Sequence, residues 1–285
     1  MGMKLKTPAK INHFLFVGKE REDGYHEIFT LMSKIGIYDQ MKIDLIPGKR
    51  LSLFCKGCTG IPKKDNIVYK AWDIACKKLG EKIGVSVNIE KNIPIGSGLA
   101  GGSSNAATFL RIVNILLDKP FRESSLEEIA LECGSDVPFF IKPGGFLAQG
   151  RGEKLMPTDG MPDVKLLIIV PEFGISTKWA YENVKINLTE ELQDNIFNSL
   201  KRGGLLNGIP LFDNSFRSLL EKEHPEYAQY RKELLDAGAL YALPSGSGCA
   251  MFGAFENEKD AIAVSKRFEN LKTFIVDKVD DMEII

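Results

Sequence analysis

The residues best equipped for chemistry are four glycines and two serines, Gly96, Gly98, Gly101, Gly102, Ser103 and Ser104, within the segment PIGSGLAGGSSNAA at 94–107. Backbone N–H groups can converge on phosphate oxygens only where side chains leave room, and a helix that follows adds the positive end of its dipole. Ala106, Ala107, Leu110, Val113 and Leu117 recur at helical spacing directly afterwards, so the loop opens a helix. Ser103 and Ser104 contribute hydroxyls and a capacity to cap that helix. The segment predicts a phosphate cradle.

The kind of phosphate is open at this level. Residues 96–101, GSGLAG, satisfy G-x-G-x-x-G, which admits a dinucleotide-binding oxidoreductase. That fingerprint also requires a second strand ending in an acidic residue roughly 20 positions on, and Asp118 instead ends the helical run RIVNILLD. The P-loop ending G-K-[ST] is absent because Ser103 follows Gly102, and the protein-kinase signatures H-R-D and D-F-G are missing.

Other segments offer polar groups on fixed elements. Lys10 opens the apolar run KINHFLFV, from which an ammonium can project, although such lysines commonly sit at a rim. Asp136 in GSDVPFF lies where a helix is expected to pass into a strand. LPSGSGCAMF at 243–252 suits either close backbone approach or a bare turn. Asp23, Gly24, Tyr25, His26 and Glu27 set an aromatic ring and an imidazole beside a turn, a combination that can stack on and hydrogen-bond a heterocyclic base.

These groups need a scaffold, and periodicity supplies an outline. Strands are expected at 10–17, 41–46, 51–55 and 165–170, with Pro47-Gly48 as a turn, and Val85, Val87 and Ile89 alternate as a half-buried strand into the loop. Helices are expected at 66–79 with Gly80 as the stop, from Ser124 or Ser125 through a capping box, and at about 189–200, 225–237 and 259–268. The stretch 155–163 reads as a connection, so domains of 1–157 and 158–285 are expected.

Bulk properties agree with a folded globular protein and exclude several classes. In 285 residues, 44% are hydrophobic and 26% charged, and 37 basic against 38 acidic residues leave a net charge of -1. That balance provides no global field for nucleic acid, so an anionic ligand must be held locally. The N-terminus has no secretory signal pattern and no run approaches a membrane span, which points to the cytoplasm. Cys55, Cys58, Cys76, Cys133 and Cys249 have no framework spacing and read as reduced thiols, with the C-x-x-C of Cys55 and Cys58 a coincidence in a loop or strand.

Taken together, PAKIN near the start, PIGSGLAGGSSNAA and LPSGSGCAMF resemble the three motifs of the galacto-, homoserine, mevalonate and phosphomevalonate (GHMP) kinase superfamily, in order and across nearly the whole chain. PAKINHFLFVGKEREDGYHEIFTLM resembles the opening of its branch that phosphorylates the 2-hydroxyl of 4-diphosphocytidyl-2-C-methyl-D-erythritol in the non-mevalonate isoprenoid pathway. DGYHE is the discriminating element, and it speaks against homoserine or mevalonate as acceptor.

The resemblance implies an α+β, two-domain GHMP-kinase-like fold. Its N-terminal domain would be ribosomal-protein-S5-like and its C-terminal domain a ferredoxin-like α/β sandwich. The resemblance also implies ATP and Mg²⁺ as cofactors, a cytidine diphosphate small molecule as partner, and a monomer or homodimer. Lys10 and Asp136 match the catalytic pair. Pro94, Ile95, Gly96, Ser97, Gly98, Leu99, Ala100, Gly101, Gly102, Ser103 and Ser104 match the ATP loop, and Asn66 a residue near adenine. Tyr25 and His26 match the cytidine-binding pair, with Asn12 beside them in the substrate site and Tyr181 as the second aromatic around cytosine. Mg²⁺ would neighbour the hydroxyl of Ser103 or Ser104, with no residue assigned as its ligand. The chain departs from the pattern at His13, where an apolar residue is usual, at Ser97, and at Ala100, which replaces a glycine and must adopt a φ that an L-residue tolerates.

Overall fold

The computed structural model describes residues 2–158, 163–203 and 208–285, so residues 159–162 of the connection expected at 155–163 lie outside it. The chain opens with a long antiparallel hairpin, β1 (Met3–Glu20) and β2 (His26–Leu45). Arg21 N–H donates to the Tyr25 carbonyl at 2.7 Å, and Gly24, at φ +78°, closes the turn. β1 begins seven residues before Lys10, so this lysine sits mid-strand and is buried rather than placed at a rim.

β3 (Leu51–Lys56), α1 (Ile67–Leu79) and β4 (Val85–Glu90) follow. The Asn66 side chain accepts from Val68 N–H at the start of α1, and Gly80 ends the helix at φ +78°. Pro47 and Gly48 do not make a β2–β3 hairpin: β4 inserts between them, antiparallel to β2 and parallel to β3. The alternation in β4 is as expected, with Val85, Val87 and Ile89 buried.

Beyond the glycine-rich loop come α2 (Gly101–Leu116) and α3 (Glu123–Cys133). Arg122 is the N-cap of α3 without a side-chain hydrogen bond, so the capping boxes at Ser124 and Ser125 are not used and both serines lie within the first turn. After α3 the chain enters a single 3₁₀ turn, Pro138–Phe140, where a strand was expected. Fixed proline φ favours this compact turn. α1, α2 and α3 cover one face of the first sheet, burying Trp72, Phe109 and Phe139; each such side chain contributes about 1.5–3 kcal/mol.

β5 (Phe146–Gln149) and β6 (Lys154–Pro157) complete a hairpin on β2, and β7 (Lys165–Val170) starts a second sheet. Then come α4 (Thr177–Asn183), α5 (Glu190–Gly203), α6 (Arg217–Glu223), α7 (Pro225–Asp236), β8 (Tyr241–Pro244), β9 (Met251–Phe255), α8 (Glu258–Ser265) and β10 (Lys272–Val276). The second sheet runs β10-β7-β9-β8. Its unbroken apolar run in β7 reflects two covered faces: Leu166 and Ile168 pack toward Phe14 and Phe29 of the first hairpin, while Leu167 and Ile169 pack with Leu220, Tyr227 and Leu234 of α6 and α7.

The last strands, β11 (Lys278–Val279) and β12 (Glu283–Ile284), return to the first sheet on β2 and β1, and Arg111 of α2 clamps Asp281 through two 2.6 Å hydrogen bonds. The architecture is the α+β arrangement expected from the motifs. Cys55 and Cys58 are joined by a disulfide, contrary to the expected reduced thiols. Gly57, at φ +90°, reverses the chain after β3 and brings the two side chains together; Cys76, Cys133 and Cys249 are free and buried.

Candidate active site

A cavity of about 440 Å³ opens where the glycine-rich loop, β1, the end of α3 and the start of α4 meet. Three segments distant in sequence are laced together around it. Lys10 N–H donates to the Leu99 carbonyl at 3.0 Å, Ala250 N–H to the Ser97 carbonyl at 2.9 Å, and Ser245 Oγ to the Gly98 carbonyl at 3.0 Å. A side chain at Gly98 would collide with the Ser245 carbonyl oxygen. Close backbone approach, rather than a bare turn, is therefore what 243–252 provides.

The loop enters α2 without a side-chain cap. Ala100 is the N-cap at φ 54° and ψ 30°, inside the small left-handed region open to L-residues at a cost of roughly 1–2 kcal/mol. Ser103 and Ser104 do not cap, because they already lie within the first turn, and Ser104 N–H makes the first helical hydrogen bond, to Ala100. The N–H groups of Gly101, Gly102 and Ser103 precede that bond and are left for a ligand at the positive end of a 16-residue helix. Ser97 Oγ is spent on the Pro94 carbonyl at 2.7 Å. Ser104 Oγ is buried with no hydrogen-bond partner among the described residues.

Sequence patterns did not reveal the clamp beneath this loop. Asp39, fully buried in β2, pairs with Lys91 and accepts from the N–H groups of Asn92 at 2.8 Å and Ile93 at 2.9 Å. Asn105 of α2 donates to both Asp39, at 3.1 Å, and Thr7 of β1, at 2.7 Å. The two ends of the loop are thereby fixed to one carboxylate. Lone Asp and Asn residues inside apolar patterns carry no local signal of such pairing.

Lys10, 3% exposed, directs Nζ to Asn12 Oδ1 at 2.5 Å and stands 3.8 Å from Asp136 Oδ2. Burial lowers its pKa from the ordinary lysine value, and Asp136 opposes that shift through its charge and hydrogen bonding. Asn12 is oriented in turn by donating to Thr30 Oγ1 at 2.8 Å, whose hydroxyl donates to the Phe14 carbonyl at 2.6 Å. Asp136, by contrast, keeps 43% of its side chain exposed to the cavity side of the molecule. A desolvated cation, a solvated carboxylate and free helix N–H groups around one cleft can align and neutralise a phosphoryl group beside an acceptor hydroxyl.

Tyr181 lines the cavity from α4 and stacks on His26 at 5.7 Å between ring centroids. Its phenol is kept protonated first by burial and then by the Asp136 charge. His26 Nδ1 lies 2.9 Å from the Gly18 carbonyl, which can only accept, so Nδ1 carries the proton and Nε2 of the neutral ring is an acceptor. Tyr25 projects from the β1–β2 turn, 47% exposed, outside the cavity lining. Asn66 lines both this cavity and a neighbouring one of about 220 Å³, while its Oδ1 is engaged at the start of α1. Thr177 and Ser247, which sequence reasoning passed over, line the cavity with hydroxyls 3.3 Å apart.

Residues 66–144 match the N-terminal domain model of the GHMP kinases, and residues 190–272 match the C-terminal model. A 4-diphosphocytidyl-2-C-methyl-D-erythritol kinase from Thermodesulfovibrio yellowstonii is 39% identical over 272 residues, 93% of each chain. One from Syntrophotalea carbinolica is 34% identical over 278 residues, 96% of this chain and 98% of its own. The chain belongs to this kinase family.

A solved 4-(cytidine 5'-diphospho)-2C-methyl-D-erythritol kinase, 29% identical, superposes with a TM-score of 0.77 over 97% of this chain and 99% of its own. As a GHMP kinase the protein is a small-molecule kinase with ATP as its phosphate donor. The dinucleotide alternative left open by G-x-G-x-x-G is thereby set aside. Its structural reason is visible as well: the helix that follows the loop leads into α3 and not into a strand parallel to β4, so the loop does not open the βαβ unit that the fingerprint requires. Among the described residues, no helix is long and apolar enough to cross a membrane.

Proposed function

We infer that this kinase transfers the γ-phosphoryl group of ATP to the 2-hydroxyl of 4-diphosphocytidyl-2-C-methyl-D-erythritol, in the non-mevalonate route to isoprenoids. The observation that carries the reading is the Lys10–Asp136 approach of 3.8 Å at a cavity floored by an uncapped helix N-terminus. The chain then supplies alignment and charge, which is most of what phosphoryl transfer requires.

Residues 94–104 receive the phosphates through backbone N–H groups, with adenine toward Asn66. Asp136 accepts or orients the acceptor proton, and the Lys10 ammonium, desolvated and fixed by Asn12, stabilises charge on the nucleophile and the transferred group. The His26 Nε2 acceptor suits the exocyclic amino donor of cytosine, and Tyr181 offers a ring face beside it. Tyr25 and Asn12 complete the acceptor site.

Ser103 lines the cavity at the head of α2 and the adjoining buried Ser104 hydroxyl has no partner among the described residues, so a hard cation that shares phosphate oxygens would neighbour one of these two hydroxyls, which suits Mg²⁺. When bound, Mg²⁺ supplies charge neutralisation on the phosphate oxygens. The same reading assigns 1–157 and 158–285 as the two domains, with β11 and β12 crossing back. It also takes the protein as cytoplasmic, monomeric or homodimeric, and without a nucleic-acid partner.

The test is a coupled assay with ATP and three alcohols. Turnover with the cytidyl substrate and none with mevalonate or homoserine is expected. Robust turnover of mevalonate without the cytidyl substrate overturns the assignment.

A further inference from the structure

Tyr25 stands on a short turn with half of its surface in solvent, and such a ring has little to fix its plane. Its backbone is well held: Tyr25 N–H donates to Asp23 Oδ1 at 3.2 Å, and Arg21 reaches Asp23 at 3.2 Å and Glu27 at 2.6 Å. The Arg151 guanidinium lies over the ring itself, 4.6 Å from its centroid.

Arg151 is unusually well placed for this contact. It lies in the tight turn between β5 and β6, where the preceding Gly150 accepts from Ile28 N–H at 2.7 Å, two residues beyond His26. Its own N–H donates to Glu153 Oε2 at 2.6 Å, and Nη2 donates to the Leu131 carbonyl of α3 at 3.3 Å. The same α3 leads to Asp136. The Asp23 carboxyl is held below its ordinary range by its hydrogen bond from Arg21 foremost, with the Tyr25 N–H and the Arg151 charge adding to the effect, so Arg151 and this turn share one electrostatic neighbourhood.

We propose that Arg151 is a positioning residue for the acceptor: its guanidinium covers one face of Tyr25, fixes the ring plane, and leaves the opposite face to the pyrimidine base of a cytidine diphosphate. The inference rests on Tyr25 belonging to the acceptor site and deepens that reading. Arg suits the task because a planar cation stacks on an aromatic face while its remaining N–H groups keep a backbone tether. Removing it frees the ring to rotate and opens its second face, so the base must then order the ring as it binds.

The test is steady-state kinetics of the full-length enzyme with the cytidyl alcohol and ATP, for Arg151→Met, Arg151→Lys, Tyr25→Ala and the double variant Arg151→Met/Tyr25→Ala. Loss of a cation–π contact of this exposure predicts a rise in acceptor KM of about twofold to fivefold in Arg151→Met, with kcat and the KM for ATP unchanged from the parent. Arg151→Lys should recover part of that loss. In the Tyr25→Ala background, Arg151→Met should have no further effect, because the coupling runs through the ring. An unchanged acceptor KM in Arg151→Met, with Tyr25→Ala impaired, overturns the role of Arg151 and leaves the acceptor site standing. An equal effect of Arg151→Met in both backgrounds, or a parallel rise in the KM for ATP, overturns it as well. An unchanged acceptor KM in Tyr25→Ala removes the underlying assignment of Tyr25, and the inference with it.

Discussion

Lys10 Nζ and Asp136 Oδ2 stand 3.8 Å apart although one belongs to a buried strand and the other to a half-exposed turn after α3. Such a separation is long for a tight ion pair and leaves an acceptor hydroxyl access to both groups. Asp136→Asn keeps the shape and removes the proton acceptor, so kcat should fall about 10²- to 10⁴-fold with ATP affinity preserved. Rapid-quench turnover and titration with a nonhydrolysable ATP analogue check this, and undiminished turnover would remove Asp136 from the mechanism.

Ala100 predicts a gain. Its φ of 54° costs an L-residue roughly 1–2 kcal/mol, which a glycine avoids, and the greater freedom that glycine gives the unfolded chain offsets part of that gain. Ala100→Gly should therefore stabilise by about 0.5–1 kcal/mol, a rise of roughly 2 °C in the thermal midpoint. Calorimetry reads the outcome, and a lower midpoint contradicts the strain argument.

Asp39 predicts a loss. Asp39→Ala strands the Lys91 ammonium and the N–H groups of Asn92 and Ile93 at the base of the ATP loop. Breaking a buried pair from one side costs about 3–5 kcal/mol, to be seen as a lower urea midpoint. A shift below 1 kcal/mol would show that the carboxylate is not the clamp it resembles.

His13 predicts an acid dependence. It is buried between Tyr241, at 2.6 Å from Nδ1, and Ser33, at 2.9 Å from Nε2, and burial, aided by the Lys278 charge, lowers its pKa from 6.5 to about 3. The unfolded chain then binds a proton that the folded chain refuses. Stability is complete above about pH 6.5 and declines as pH falls, by about 1.4 kcal/mol per unit, until the folded pKa near 3 is reached. Urea unfolding at pH 7, 6, 5 and 4 should show a shallower decline in His13→Gln than in the parent; equal slopes contradict the assignment.

The parts of the fold that were legible in the sequence rest on local rules. Asn66 and Gly80 delimit α1 because a cap and a left-handed stop act within one turn, and β4 alternates because one of its faces is covered. The first three-quarters of β2 was hidden because Ser33, Lys34 and Asp39 interrupt its apolar pattern, and each finds its partner far away in sequence, as Lys34 does on the carbonyls of Lys142 and Gly144. The apposition of Lys10 and Asp136 came from family resemblance, since spacing does not reveal a meeting between a strand and a distant turn. The Arg151–Tyr25 stack is likewise a tertiary contact, with no periodicity to announce it.

The central claim is that Asp136 and Lys10 act on the acceptor hydroxyl in front of the ATP γ-phosphate. A crystal structure with a nonhydrolysable ATP analogue and 4-diphosphocytidyl-2-C-methyl-D-erythritol tests it most directly. The account predicts the 2-hydroxyl within hydrogen-bonding reach of Asp136, with Lys10 Nζ beside it and the γ-phosphorus in line. A hydroxyl bound away from Asp136, or phosphates placed off the N-terminus of α2, would contradict it.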